Sequence, residues 1–175
     1  MRFLRYTNLA SCFEHESIVN VSHSTFNNES DLCVQLDKLE EKSWYDKIFV
    51  YQMLTNNITG RIYDVEAIGN ICKEYGAFCC CDLTAAIGHN KIPEDISSCC
   101  DMMFASGHKF GANPGIGFVW LSNALSKCLY EFSLGGTKDL NGIEQLTNAL
   151  SKAIDGLNEL HFDDLSRFLQ KQLYK

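Results

Sequence analysis

Asp101-Met102-Met103-Phe104-Ala105-Ser106-Gly107-His108-Lys109-Phe110 sets an apolar, strand-like run directly before a turn of small and hydroxyl residues that carries a lysine. An earlier run, Ala77-Phe78-Cys79-Cys80-Cys81, ends in the same manner on Asp82. Open α/β sheets place their ligands at the C-terminal ends of strands. Asp82 and Lys109 are therefore expected to emerge side by side, one β-loop-β step apart.

The chemistry of that pair is specific. A lysine amine held near an aldehyde forms a Schiff base, and pyridoxal phosphate needs such a lysine together with a carboxylate facing its ring nitrogen. A carboxylate there keeps the ring protonated and electron-withdrawing. The ordinary alternatives are a solvated lysine after a strand and an aspartate that caps the next turn.

The segments around this pair read as one α/β unit without low-complexity tracts, 46% hydrophobic. Ser30 is expected to cap a helix with Leu32, Leu36 and Leu39 at helical spacing, ending near Trp44. Residues Lys47 to Leu54 predict a strand, followed by the loop Asn56-Asn57-Ile58-Thr59-Gly60. Val65, Ile68, Ile71 and Tyr75 form a helical stripe stopped by Gly76, and the next strand then completes a crossover unit with parallel strands. Gly115 to Leu121 predicts a strand after the lysine turn. Ile143, Leu146, Leu150, Ile154 and Leu157 mark a long amphipathic helix from Asn141 onward. A tail from His161 to Lys175 repeats a short helical pattern through Leu165, Phe168, Leu169 and Leu173.

Nine cysteines is a high number, but Cys79-Cys80-Cys81 sits within an expected buried strand and Cys99-Cys100 just before another, where cysteine acts as a small hydrophobe. There is no CxxC pair or Cys/His ligand spacing, which disfavours structural zinc. Without a signal peptide or membrane-length apolar run, a cytoplasmic protein that does not bind membranes is expected. Fifteen Lys and Arg against 22 Asp and Glu give a net charge of -7, which disfavours a nucleic-acid partner.

Five motifs in order, from about Ser11 to about Leu157, resemble the class V aminotransferase family, and within it most closely the cysteine desulfurases. They are Glu14-His15 with Ser17-Ile18, Asn56-Asn57-Ile58-Thr59-Gly60, Asp82-Leu83-Thr84-Ala85-Ala86-Ile87-Gly88, Ser106-Gly107-His108-Lys109, and Gly135-Gly136-Thr137 with Gly142-Ile143. The resemblance implies an α/β fold: part of the large domain of a fold-type I pyridoxal-phosphate-dependent transferase, with a mainly parallel sheet flanked by helices. It implies a cofactor-binding core over residues 1–160 and a helical tail over residues 161–175 leading toward a small domain.

By the same resemblance, Lys109 forms the internal aldimine with pyridoxal 5'-phosphate and shuttles the substrate α-proton, and Asp82 pairs with the pyridinium nitrogen. His15 stacks on the ring and relays protons. Asn57 lies near the phenolic oxygen and the substrate carboxylate. Ser106 and His108 hold the phosphate, and Thr137 reaches the phosphate of the neighbouring subunit in a homodimer. The implied reaction moves sulfur from L-cysteine, or a similar amino acid, to an acceptor thiol, with a sulfur-accepting protein as partner.

Departures from the pattern accompany these matches. Ala85 stands where the family has a glutamine that donates to the phenolic oxygen, and Ile58 where it has a glutamate. The stretches between His15 and Asn57 and before Thr137 are short. A Gly-x-Thr phosphate loop, the carboxylate-binding arginine and the persulfide cysteine of the family have no counterpart among these residues. Alternative readings are therefore another class V enzyme, either a selenocysteine lyase or an aminotransferase-like protein; a non-catalytic remnant or interaction protein; and a split enzyme completed by other chains.

Overall fold

The computed structural model describes residues 5–40, 47–129 and 140–159. Its centre is the apolar strand β4, Phe78–Asp82, in which Cys79, Cys80 and Cys81 are all fully buried. Successive side chains of a strand point to opposite faces, so burial of all three means that both faces are covered at this point. Beside β4 run β3, Lys47–Met53, and β5, Met102–Ser106, both parallel to it. The sheet has six strands in the order β2-β1-β3-β4-β5-β6, with β1 at Tyr6–Ser11, β2 at Ser24–Phe26 and β6 at Gly117–Leu121. Every pairing is parallel except β5 with β6. This is the mixed, mostly parallel sheet flanked by helices that the motifs imply.

The strands expected from Lys47 and from Gly115 form, the latter starting at Gly117. Two strands were not anticipated. β1 carries polar Thr7, Asn8 and Ser11, two of them buried, and β2 has only three residues, so neither presents a hydrophobic period.

Helix α1, Glu16–Val19, is a single turn after β1, and α2, Glu29–Glu40, buries Leu32 and Leu36 as expected. Its cap differs from the expected Ser30. The Asn28 side-chain oxygen accepts the Asp31 N–H at 2.9 Å, because the helix begins one residue before Ser30. The expected end near Trp44 lies outside the described residues.

Helix α3, Val65–Glu74, joins β3 to β4 and buries Val65, Ile68 and Cys72. Asp64 caps it by accepting the Ala67 N–H at 2.9 Å. Gly76, with φ of 62°, ends it: the Gly76 N–H donates to Lys73 O (3.3 Å) and the Ala77 N–H to Cys72 O (2.8 Å), which turns the chain straight into β4.

A short α4, Ile96–Cys99, precedes β5, and α5, Asn123–Leu129, follows β6. The long helix expected from Asn141 is α6, Leu140–Glu159. It reaches back to the turn after β5 and to the loop after β4, where an added Cβ on Gly107 or Gly88 would meet Leu146 or Ala153. The tail expected over residues 161–175 lies outside the described residues.

Candidate functional site

β4 ends at Asp82, paired in register to Phe104, and β5 runs two residues further to Ser106 before the lysine turn. The chain leaves β4 through a turn in which Asp82 Oδ1 accepts the Thr84 N–H at 2.7 Å. Thr84 Oγ1 in turn accepts the Ser106 N–H at 3.1 Å, which ties the aspartate turn to the lysine turn. Thr84 was not among the expected site residues, and nothing in its spacing distinguishes it from a turn threonine.

Lys109 stands on a single 3-10 turn, Gly107–Phe110, closed by Gly111 at φ of 100°. Gly107 is required by close approach rather than by its φ. Its N–H donates to the Ile116 carbonyl at 2.7 Å, and a Cβ there would lie 2.8 Å from that oxygen and 2.9 Å from both Ala112 Cβ and Leu146 Cδ1. The lysine turn is thus clamped between β6 and α6, while Lys109 itself is exposed.

Two cavities meet at this edge. One, of about 480 Å³, is lined by His15, Asn56, Asn57, Asp82, Ala85 and Lys109 among others. The second, of about 580 Å³, shares His15, Asp82, Thr84 and Lys109 with the first and adds Ser106 and His108. Both are in the size range of small-molecule sites. Of the expected site residues, His15, Asn57, Asp82, Ser106, His108 and Lys109 come together here; Thr137 lies outside the described residues.

The local geometry gives each side chain a setting. His15 caps α1: its Nδ1 accepts the Ser17 N–H at 3.2 Å and lies 2.8 Å from Ser17 Oγ. A backbone N–H only donates, so Nδ1 is an acceptor and the neutral ring carries its proton on Nε2. Asn56 Oδ1 accepts the Ile58 and Thr59 N–H groups, both at 2.9 Å, and so folds the loop that presents Asn57. Ser106 Oγ and His108 Nδ1 lie 2.8 Å apart and form a hydroxyl-imidazole pair at the second cavity. Ala85 lines the first cavity and brings no hydrogen-bonding side chain to it. His89 and Asn90 line it as well, without having been signalled by the sequence.

Beneath the cavity floor the electrostatics are unusual. Glu14 is buried, and burial together with the charge of Asp82 raises its pKa from 4.5 to about 8. Burial also pushes the Cys80 thiol far up, and a hydrogen bond with Cys100 followed by burial does the same for Cys81. Such thiols are unreactive packing groups. Among the described residues no cluster of His, Cys, Asp or Glu is arranged to hold a metal ion. None of the described helices is long and apolar enough to cross a membrane.

The open, mostly parallel sheet flanked by helices is the fold of fold-type I pyridoxal-phosphate enzymes, and solved structures agree on that fold. A NifS-like protein from Rickettsia africae superposes with a TM-score of 0.75 at 24% identity, covering 96% of this chain and 51% of that one. A serine palmitoyltransferase from Sphingomonas wittichii does so at 0.66 and 14% identity, covering 87% of this chain and 42% of that one. The chain belongs to the class V aminotransferase family, whose profile, described as "Aminotransferase class-V", matches residues 9–153.

Among curated relatives, cysteine desulfurase 2 of Trichormus variabilis is 30% identical over 169 residues, which is 88% of this chain and 41% of the relative. A probable cysteine desulfurase of Borreliella burgdorferi is 37% identical over 92 residues, 52% of this chain and 20% of the relative. The chain therefore spans less than half the length of these two relatives.

Proposed function

We propose that this chain forms the pyridoxal phosphate-binding part of a cysteine desulfurase-like protein, which takes sulfur from L-cysteine or a similar amino acid and passes it to an acceptor thiol. The observation that carries this reading is the meeting of Lys109 and Asp82 on one pair of cavities from adjacent parallel strands. An amine, a carboxylate and a hydroxyl-imidazole pair around that space are the donor set the cofactor requires, so the residues present fit it. Relatives named cysteine desulfurases support the substrate class.

When bound, pyridoxal phosphate supplies a sink for the electron pair left on the substrate α-carbon as its proton departs. Lys109 anchors the cofactor through its amine, which then holds and returns the α-proton. Asp82 pairs with the ring nitrogen and keeps it protonated. Ser106 and His108 bind the phosphate, His15 offers a ring face and an Nε2 proton, and Asn57 orients the phenolic oxygen and substrate carboxylate. Ala85 leaves that oxygen with one donor fewer, which favours slow turnover. A homodimer in which Thr137 reaches the partner's phosphate, a sulfur-accepting partner protein and a cytoplasmic location belong to the same reading.

The test is reconstitution of the purified chain with pyridoxal phosphate, borohydride reduction and peptide mass mapping. The expected result is one adduct on Lys109, lost in Lys109→Ala; no adduct, or adducts scattered over surface lysines, would sink the reading. A panel of cysteine, selenocysteine and alanine then separates sulfide release from selenocysteine lyase and aminotransferase-like chemistry.

A further inference from the structure

His89 and Asn90 line the first cavity, and the proposed function gives them no task. They follow Gly88, whose φ of 77° turns the chain after β4. Their backbone N–H groups both donate to the Ala86 carbonyl, at 3.0 and 2.8 Å. An added Cβ on Gly88 would meet Ala153 Cβ at 3.5 Å and Phe110 Cβ at 3.8 Å, so this loop rests on α6 and on the end of the lysine turn. Asn90 is half-buried, and its Nδ2 donates to Thr55 Oγ1 at 3.0 Å, which ties the loop after β4 to the loop after β3. Thr55 is buried, so the tie is anchored inside the protein. The amide nitrogen carries two N–H groups, and this bond uses one of them.

We propose that His89 and Asn90 bind the α-carboxylate of the amino-acid substrate, as specificity-determining residues of the first cavity. That the bound molecule is the substrate rests on the function proposed above, whereas carboxylate binding by this pair does not. The two cavities share His15, Asp82, Thr84 and Lys109, and the second alone reaches Ser106 and His108. With the phosphate held by Ser106 and His108, the unshared part of the first cavity is left for the substrate. That part contains Thr55, Asn56, Asn57, His89 and Asn90, and no described Asp, Glu, Lys or Arg lines it. A carboxylate therefore meets N–H donors there and no like charge. Hydrogen bonds to an ionised acceptor are about twice as strong as neutral ones. An imidazole N–H of His89 and the second amide N–H of Asn90 supply two, beside the Asn57 amide. Gly60 lines the same cavity, and a Cβ there would meet no atom within 4 Å, which leaves room for a ligand. The Thr55 bond holds the Asn90 amide in place beforehand, so less side-chain freedom is lost on binding.

The experiment follows the His89 ring and Asn90 amide signals by NMR in the full chain without cofactor. The titrants are L-alanine and ethylamine, the same amine without the carboxylate. The expected result is a shift of both signals that saturates with L-alanine in the millimolar range and is absent with ethylamine. His89 is exposed, so His89→Ala leaves the fold intact; it should raise the half-saturating L-alanine concentration about tenfold, as expected for one lost hydrogen bond to a charged group. Asn90→Asp keeps an oxygen to which the Thr55 hydroxyl can donate but sets a carboxylate against that of the ligand. It should abolish the response, a loss that a merely structural Asn90 would not show. Equal responses to the two amines, or an L-alanine response unchanged in both variants, overturns the proposal. Because no cofactor is present, an L-alanine response with no Lys109 adduct in the reconstitution would leave the carboxylate site standing and remove the proposed function. An adduct on Lys109 without that response removes the carboxylate site alone.

Discussion

Gly107→Ala tests the link between the clamp on the lysine turn and the site. The new Cβ would lie 2.8 Å from the Ile116 oxygen and 2.9 Å from Ala112 Cβ and Leu146 Cδ1, about half an ångström short of ordinary contact on three sides. The side chain of Leu146 can give way, but the Ile116 carbonyl is held by the Gly107 N–H at 2.7 Å and cannot retreat without weakening that bond. Overpacking of this kind costs ~1–3 kcal/mol, and losing a buried backbone hydrogen bond ~1–3 kcal/mol. With partial relaxation the expected loss is about 2–4 kcal/mol, a large part of a total stability of about 5–15 kcal/mol. With a mid-range urea slope of about 2 kcal/mol/M, the unfolding midpoint should fall by about 1–2 M in urea denaturation followed by circular dichroism. Under the proposed function, pyridoxal phosphate affinity should fall too, since Lys109 is two residues away on the same turn. Adding Leu146→Ala should restore only part of the loss, because two of the three contacts remain. A loss below about 0.5 kcal/mol, or full recovery in the double variant, would refute the clamp.

The Glu14 pKa predicts a pH profile with a definite sign. Because the folded value of about 8 lies above the ordinary 4.5, the folded state holds the extra proton, and stability relative to Glu14→Gln falls as pH rises through that window. The slope is about 1.4 kcal/mol per pH unit and the total on the order of 5 kcal/mol, levelling above pH 8; parallel profiles for the two proteins would contradict it. In native buffer, iodoacetamide should label exposed Cys12 while Cys79, Cys80, Cys81 and Cys100 react only on unfolding, as read by peptide mass mapping. Asp64→Ala, which removes the α3 cap, should cost about 1 kcal/mol in thermal or urea unfolding without changing the Lys109 adduct.

Much of this architecture was legible in the sequence where hydrophobic period and turn chemistry agree. β4 and β5 are short apolar runs, α3 and α6 carry clear helical stripes, and Gly76 stops α3 where the stripe ends. β1 was not legible because Thr7 and Ser11 are buried through tertiary packing that no local pattern records, and β2 is too short to have a period. The cap of α2 was misplaced by two residues because serine and asparagine satisfy the same N–H groups, and only the backbone path chooses between them. In the site, Asp82 and Lys109 converge as strand order dictates. Glu14 was named within the first motif but given no role, because its distinction is burial between two exposed neighbours, a property of the folded turn.

The contacts of α6 set an order of events during synthesis. Gly107 and Gly88 are met by Leu146 and Ala153, which leave the ribosome some forty residues or more after the turns they press upon. Chains fold as they emerge from the N-terminus, so β1 to β5 are able to assemble while α6 is still unmade. The pocket edge around Lys109 is then completed last, when the helix docks, and a nascent chain stalled before about residue 146 would carry its lysine on a turn that lacks its α6 support.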